Sequence, residues 1–412
     1  MKRISLLLFA AAIAAPACST GGGGGGTGGD DVSTTCGNGV CDPNETSSNC
    51  PADCTDTTGD QFTQALNNRV VDYNQALRIA SLRLTGQLPS MADQAAINAA
   101  PDDASKATVY QNLIWNKTAN TGYMTTPAFS QEMFYFWRDT FKQGETAVLD
   151  TAPAFAAEMT VNNSSYMDLF TKTSANCPTY DGTSTFTDAE CTNGGPKAGV
   201  LTNPGVMTQF FSNFAFRRTR WVQEVFDCTA FPAEVVAGTQ VGSPTNAPYT
   251  NPWPFNSFAG TDNGGRVNFH DVSSTICGDC HATINHIAPL FAYYDANGAY
   301  QTSIAVPTPL DGAPLAQMSD YLPSGQTTAW RYQVPAADIP SLGADMAADP
   351  AVASCGVARL WNFALGKTDI VDTLEIVPSD VIATQVASFT QDGYKVKDLI
   401  FSIFTSDDFI KF

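Results

Sequence analysis

The sequence predicts a mainly α protein, an irregular helical domain with long loops, preceded by a small disulfide-rich knob. Three observations predict it. Apolar residues recur at helical spacing in several long stretches. The intervening stretches, about 229–265 and 300–345, are dominated by Pro, Gly, Thr and Asn, which makes irregular connections rather than strands. Four of the 11 cysteines crowd into CGNGVCDPNETSSNCPADC, Cys36–Cys54, which is too short to hold a core without covalent closure.

The chain opens on an address. Lys2 and Arg3, the apolar run from Ile4 to Ala15 and the small residues Ala15-Pro16-Ala17 make 1–17 a secretory signal peptide. At about 12 residues the run is too short to span a bilayer. Cys18 then fits the lipidated first residue of a bacterial lipoprotein, which would hold the protein to a membrane; plain cleavage at the same point is the alternative. Gly21 to Gly26 and the polar residues up to Asp31 make 18–35 a flexible tether behind that anchor. Export to the outer membrane, the periplasm or the cell surface is the expectation. In the 36–54 knob, Asn38, Asp42, Glu45 and Asp53 offer oxygens to Ca²⁺. Their spacing is not that of an EF-hand loop, and a solvated acidic disulfide knob is the simpler reading.

Residues 60–195 read as an N-terminal helical domain. Gln61 to Leu84 carries Phe62, Leu66, Val70, Leu77, Ile79, Ala80 and Leu84 at helical spacing and stops at Gly86 and Pro89. Phe129 to Phe141 is an aromatic stripe through Met133, Phe134, Phe136, Trp137 and Phe141, the composition of a core-facing helix. Within 196–345, Pro204 to Phe226 reads as one long helix. In 346–412, Cys355 to Leu365, Ser379 to Phe389 and Lys395 to Phe404 predict a C-terminal helical domain. No internal repeat has a fixed period.

The chemistry lies in Ile276 to Pro289, ICGDCHATINHIAP. Cys277, Cys280 and His281 form C-x-x-C-H, the attachment signature of c-type haem. On the first turn of a helix two such thiols meet the two vinyl groups, and the histidine that follows reaches the iron from the proximal side. A chain of this composition contains the pattern by chance about 0.002 times. A disulfide or half a zinc site are the alternatives. The export signal favours haem c, and no second C-x-x-C completes a zinc ribbon.

Setting aside Cys18 for lipid and Cys277 and Cys280 for haem leaves an even number of cysteines, suited to an oxidising compartment. Beyond the knob, Cys177 and Cys191 flank a Thr/Ser/Asp-rich loop that they would close. Cys228 and Cys355 are then left for each other. A net charge of −19 and a pI near 4.3 argue against nucleic acid as a partner.

Several blocks resemble one family. GVLTNPGVMTQFFSNFAFRRTRWVQEVFDCTAFP (199–232) is similar to the segment that opens the planctomycete-type cytochrome c domains, exported haem-binding domains of unknown function; Gly199, Leu201, Thr202, Pro204, Arg220, Trp221, Val222, Cys228 and Pro232 match. The haem block of that family has an upstream Arg and His, then C-x-x-C-H, then F-D-x-x-G-x-Y. Here these are Arg266, His270, Cys277, Cys280, His281, Tyr294, Asp295, Gly298 and Tyr300. CGVARLWNFALGKTDIVD and DLIFSIFTSDDF resemble its helical companion domain through Cys355, Gly366 and Ser406. Where the family carries Asp-Pro-x-Gly after the haem histidine, this chain has Asn285-His286-Ile287-Ala288-Pro289. The resemblance implies a cytochrome c-like, haem-binding domain at 196–345.

The iron's sixth ligand has two candidates. His270 precedes Cys277 by seven residues, and the segment between spans about 20 Å when extended, enough to fold over the distal face. Met318, in a Pro-bearing stretch, would give His/Met ligation and a higher potential. An open iron is the third possibility. His286 lies about 140° from His281 around one helix and reads as a haem-edge residue or one supporting the ligand. Arg266, together with Arg217, Arg218 and Arg220, could pair with haem propionates, or the helix arginines could be plain solvated charges. With one C-x-x-C-H and no spare histidine for a triad, electron transfer between redox partner proteins leads. A haem-dependent oxidase or peroxidase-like enzyme and a non-catalytic surface binding protein follow.

Overall fold

Capping side chains decide where about half of the described helices begin. The computed structural model describes residues 66, 68–229, 275–308, 315–322, 324–331, 333–367 and 377–412, with backbone alone at 275–280 and 282. The chain divides into units Met1–Arg69 and Val70–Phe412, and the second is described here. The signal peptide, the tether with Cys18, the 36–54 knob, the 230–265 connection, Arg266 and His270 lie outside the described residues.

Helix α1 (Tyr73–Thr85) starts where Asp72 accepts the N–H groups of Asn74 and Gln75, both at 3.0 Å, and stops at Gly86 with φ +67°. The expectation of one helix from Gln61 to Leu84 is corrected at this cap. Ahead of it the backbone pairs with the other end of the unit, Val70 N–H to Phe412 O at 2.9 Å and Asp72 N–H to Ile410 O at 3.0 Å. A Ser90–Asp93 capping box opens α2 (Met91–Ala99), and Asp102 caps α3 (Asp103–Trp115). Thr126, with Pro127 at the first position, opens α4 (Pro127–Phe141). Its aromatic stripe is core: Phe129, Met133, Phe134, Trp137 and Phe141 are buried, each large side chain contributing about 1.5 to 3 kcal/mol. They face α5 (Thr151–Val161), where Trp137 Nε1 donates to Thr160 Oγ1 at 2.9 Å.

After the short α6 (Asp168–Thr171), the expected Cys177–Cys191 disulfide closes its loop with Cα atoms 5.0 Å apart. Inside the loop β1 (Thr179–Tyr180) pairs antiparallel with β2 (Phe186–Thr187). At the tip Asp181 accepts three N–H groups, from Thr183, Ser184 and Thr185, which hold its carboxyl well below the usual range.

The single helix expected from Pro204 to Phe226 is two helices. α7 (Pro204–Gln209) ends, Phe214 and Ala215 take left-handed φ of +55° and +57°, and α8 (Phe216–Phe226) starts in a new direction. The break has a cause. Arg218 donates from Nε to Met207 O at 3.0 Å, whereas a straight helix would hold those residues about 16 Å apart, beyond an arginine's reach.

Helix α9 (Thr275–Phe291) carries the C-x-x-C-H motif and packs on α8. Beyond it come α10 (Met318–Tyr321) and a small antiparallel pair, β3 (Ala329–Arg331) with β4 (Val334–Pro335), in a stretch expected to be wholly irregular. α11 (Ile339–Ala348) leads to α12 (Pro350–Leu365), a helix buried along most of its middle, capped by Asp349 and closed by Gly366 at φ +69°. Cys355 on α12 bridges Cys228, as expected, with Cα atoms 5.5 Å apart. One turn on, Arg359 donates to Val225 O at 2.7 Å and Glu224 O at 2.5 Å, capping the end of α8. α13 (Ala383–Gln391), α14 (Val396–Phe404) and α15 (Asp407–Ile410) complete a mainly helical unit. Among the described residues one hydrophobic cluster runs from Ala76 to Ile410, so all three helical stretches contribute to one core. Among the described residues no helix is long and apolar enough to cross a membrane.

Candidate haem-attachment site

The site is built on α9. At about 100° per residue, helical backbone brings the Cα positions of Cys277, Cys280 and His281 to one side. The His281 ring is half-buried. Its Nδ1 lies 2.9 Å from Asn285 Oδ1, one helical turn on. An amide oxygen only accepts, so Nδ1 carries the proton and Nε2 the lone pair. Phe216, at the start of α8, meets the ring edge-on, with centroids 5.1 Å apart at 80°. Burial pushes the imidazole pKa down to about 4, with the Asn285 bond opposing. His281 is therefore neutral at physiological pH, the form in which a histidine ligates metal.

His286 lies on another side of α9 and is fully buried. Its Nδ1 donates to Thr327 O at 2.8 Å, tying α9 to the segment before β3. Burial lowers its pKa to about 3. Met318 opens α10, which packs along α9, and is 44% exposed. On the same short helix Tyr321 is buried against Phe214 and Phe216, at 5.2 and 6.2 Å between centroids. Phe216 thus touches both His281 and Tyr321, and one aromatic wall brings α8, α9 and α10 together.

The helix arginines divide. Arg218 is wholly buried, so it is not a solvated charge. Its guanidinium donates to Met207 O and, at the end of α9, to Phe291 O at 2.9 Å, Tyr294 O at 2.6 Å and Asp295 O at 2.9 Å. Arg217 is exposed, and Arg220 pairs with Glu224 at 2.6 Å. The segment after α9 serves Arg218: Asp295 accepts from Asn297 and Ala299 N–H, Gly298 turns at φ +73°, and Tyr294 bridges Tyr300.

The motif, His286 and Met318 were visible as residue types. Asn285 and Phe216 were not singled out, although Asn285 sits at the i+4 position that faces His281. Arg218 gives no such signal, because its partners are backbone carbonyls far along the chain. Comparison with protein-family models, curated proteins and solved structures finds no match to this chain.

Proposed function

We propose that the chain is an exported, lipid-anchored, mono-haem c-type cytochrome acting in electron transfer. The observation that carries this reading is His281, on α9 directly after Cys280, held by Asn285 in the tautomer that leaves Nε2 as the lone-pair nitrogen. Metal-ligating histidines are generally held in this way through their second nitrogen. A disulfide between Cys277 and Cys280 would ask nothing of His281. Cys277 and Cys280 would carry the porphyrin through two thioethers, and His281 would take the proximal position. When bound, haem c supplies a one-electron couple whose potential follows axial ligation and burial.

For the distal position the proposed ligands are His270 and Met318, with an open iron as the alternative. Met318 gains support from its place at the start of a helix packed on α9. Arg266 stays the proposed propionate partner. The resemblance to planctomycete-type cytochrome c domains, a cytochrome c-like fold at 196–345, the lipid on Cys18 and the 36–54 knob belong to the same proposal.

Protein made with haem-maturation machinery should show a Soret band and a haem stain that survives denaturing electrophoresis. Bound zinc with no haem would overturn the reading. Failure of the reduced protein to bind CO would support a six-coordinate electron carrier. Ready binding would move the assignment to an oxidase or peroxidase-like enzyme. Replacing His270 and Met318 in turn should change the spectrum for one of them alone.

A further inference from the structure

We infer that Asn285 is a positioning residue that orients His281 and sets its donor strength, and thereby the reduction potential of the haem iron. The inference rests on the haem reading above. Asn285 is fully buried, and its Oδ1 accepts from His281 Nδ1 at 2.9 Å. Water therefore competes poorly for that bond. An amide is a neutral acceptor. It leaves the proton on Nδ1 while enriching the ring, a setting between an unbonded imidazole and one that faces a carboxylate. Donor strength at the axial nitrogen is one of the protein's levers on potential.

The surroundings fix this bond. Pro289 withdraws the helical N–H that would meet the Asn285 carbonyl, so the ladder of α9 is weakened at this residue. Two tertiary anchors hold the helix in register instead. His286 bonds Thr327 O at 2.8 Å on another side, and Arg218 bonds Phe291 O at 2.9 Å and Tyr294 O at 2.6 Å at the end. Phe216 closes the His281 ring from α8. The helix cannot turn to trade Asn285 for water.

The test uses haem-loaded protein and spectroelectrochemistry on Asn285→Leu and Asn285→Asp. At the wild-type midpoint, Asn285→Leu should raise the reduced-to-oxidised ratio at least tenfold, about 59 mV for a one-electron couple. Asn285→Asp should lower it by a similar factor, because a carboxylate draws the Nδ1 proton and stabilises the oxidised iron. Opposite signs are the signature, since mere loosening of the pocket would move both variants the same way. Ratios within twofold of wild type, or shifts of one sign, overturn the inference. Wild-type protein alone gives a second reading by NMR: the His281 Nδ1–H should exchange with solvent slowly, and fast exchange overturns the inference even if neither variant folds. Wild-type protein with no covalent haem would instead overturn the functional reading on which it depends.

Discussion

Arg218 is a charge stripped of water whose acceptors are all backbone. Its five hydrogen bonds go to Met207, Phe291, Tyr294 and Asp295 carbonyls. Burial lowers its pKa to about 10, with Asp295 opposing, so it remains charged at neutral pH. Arg218→Met would strip those carbonyls of their donor and should cost about 3 to 5 kcal/mol in denaturant titration. Arg218→Lys should recover less than half of that, because an ammonium cannot span the fork. A loss below about 1 kcal/mol would mean that water takes over the carbonyls. Glu158 on α5 shows the opposite electrostatics. Burial first, then the Asp188 carboxylate, against the pull of Lys172, raise its pKa from 4.5 to about 7. The folded state therefore binds more protons than the unfolded state between those values, and stability falls as pH rises through that window. Glu158→Gln should remove that part of the slope and raise stability above pH 7 by about 1 kcal/mol once solvent screening is allowed for. Unfolding curves at pH 4, 6 and 8 check it, and an unchanged slope would refute the assignment.

Elements were legible where the apolar period recurs, as in the Phe129–Phe141 stripe that forms α4, and at the Gly86 stop. The caps that start helices, Asp72, Ser90, Thr126 and Asp349, were not read, and the Gln61–Leu84 stretch ran through Asp72 although the chemistry is local. The break between α7 and α8 was not legible. The aromatic period continues through Phe210, Phe214 and Trp221, while the force that bends the chain is a contact from Arg218 to Met207 O that appears only once the fold is formed. The site divides in the same way. C-x-x-C-H is local and was read directly, whereas the use of Arg218 and Thr327 depends on long-range pairing. The turn after α9 is legible only in part: Gly298 stands out in the sequence, but its reason lies on α7. At φ +73° a Cβ there would sit 2.7 Å from Pro204 O and 2.8 Å from Thr208 Oγ1. Gly298→Ala should thus cost about 2 to 3 kcal/mol, combining backbone strain with a clash. Gly182, at φ +81° with open space around it, isolates the strain, and Gly182→Ala should cost about 1 kcal/mol. Equal losses in thermal unfolding would show that α7 yields to the turn.

At the scale of the molecule, the Cys228–Cys355 bridge closes a loop that carries α9, its C-x-x-C-H motif and Met318, a separation of 127 residues, whereas Cys177–Cys191 closes 14. A cross-link stabilises chiefly by removing freedom from the unfolded chain, and the effect grows with the logarithm of the loop. On that basis the long bridge contributes about 5 kcal/mol and the short one about 3. Native contacts also favour the long bridge. Arg359, one turn beyond Cys355, still ties α12 to Val225 O and Glu224 O when the sulfurs are gone, so Cys228→Ser/Cys355→Ser should keep its fold and lose stability mainly through its unfolded state. The paired variants, compared by unfolding free energy extrapolated to zero denaturant with each slope fitted separately, check this. The long-bridge variant should lose more, and a steeper unfolding slope should accompany the more expanded unfolded chain. If Cys177→Ser/Cys191→Ser proves the more damaging, the hairpin loop would be stabilising the native state directly, through its packing of Tyr180 against Phe134 at 4.8 Å, and chain entropy would not rank the two bridges.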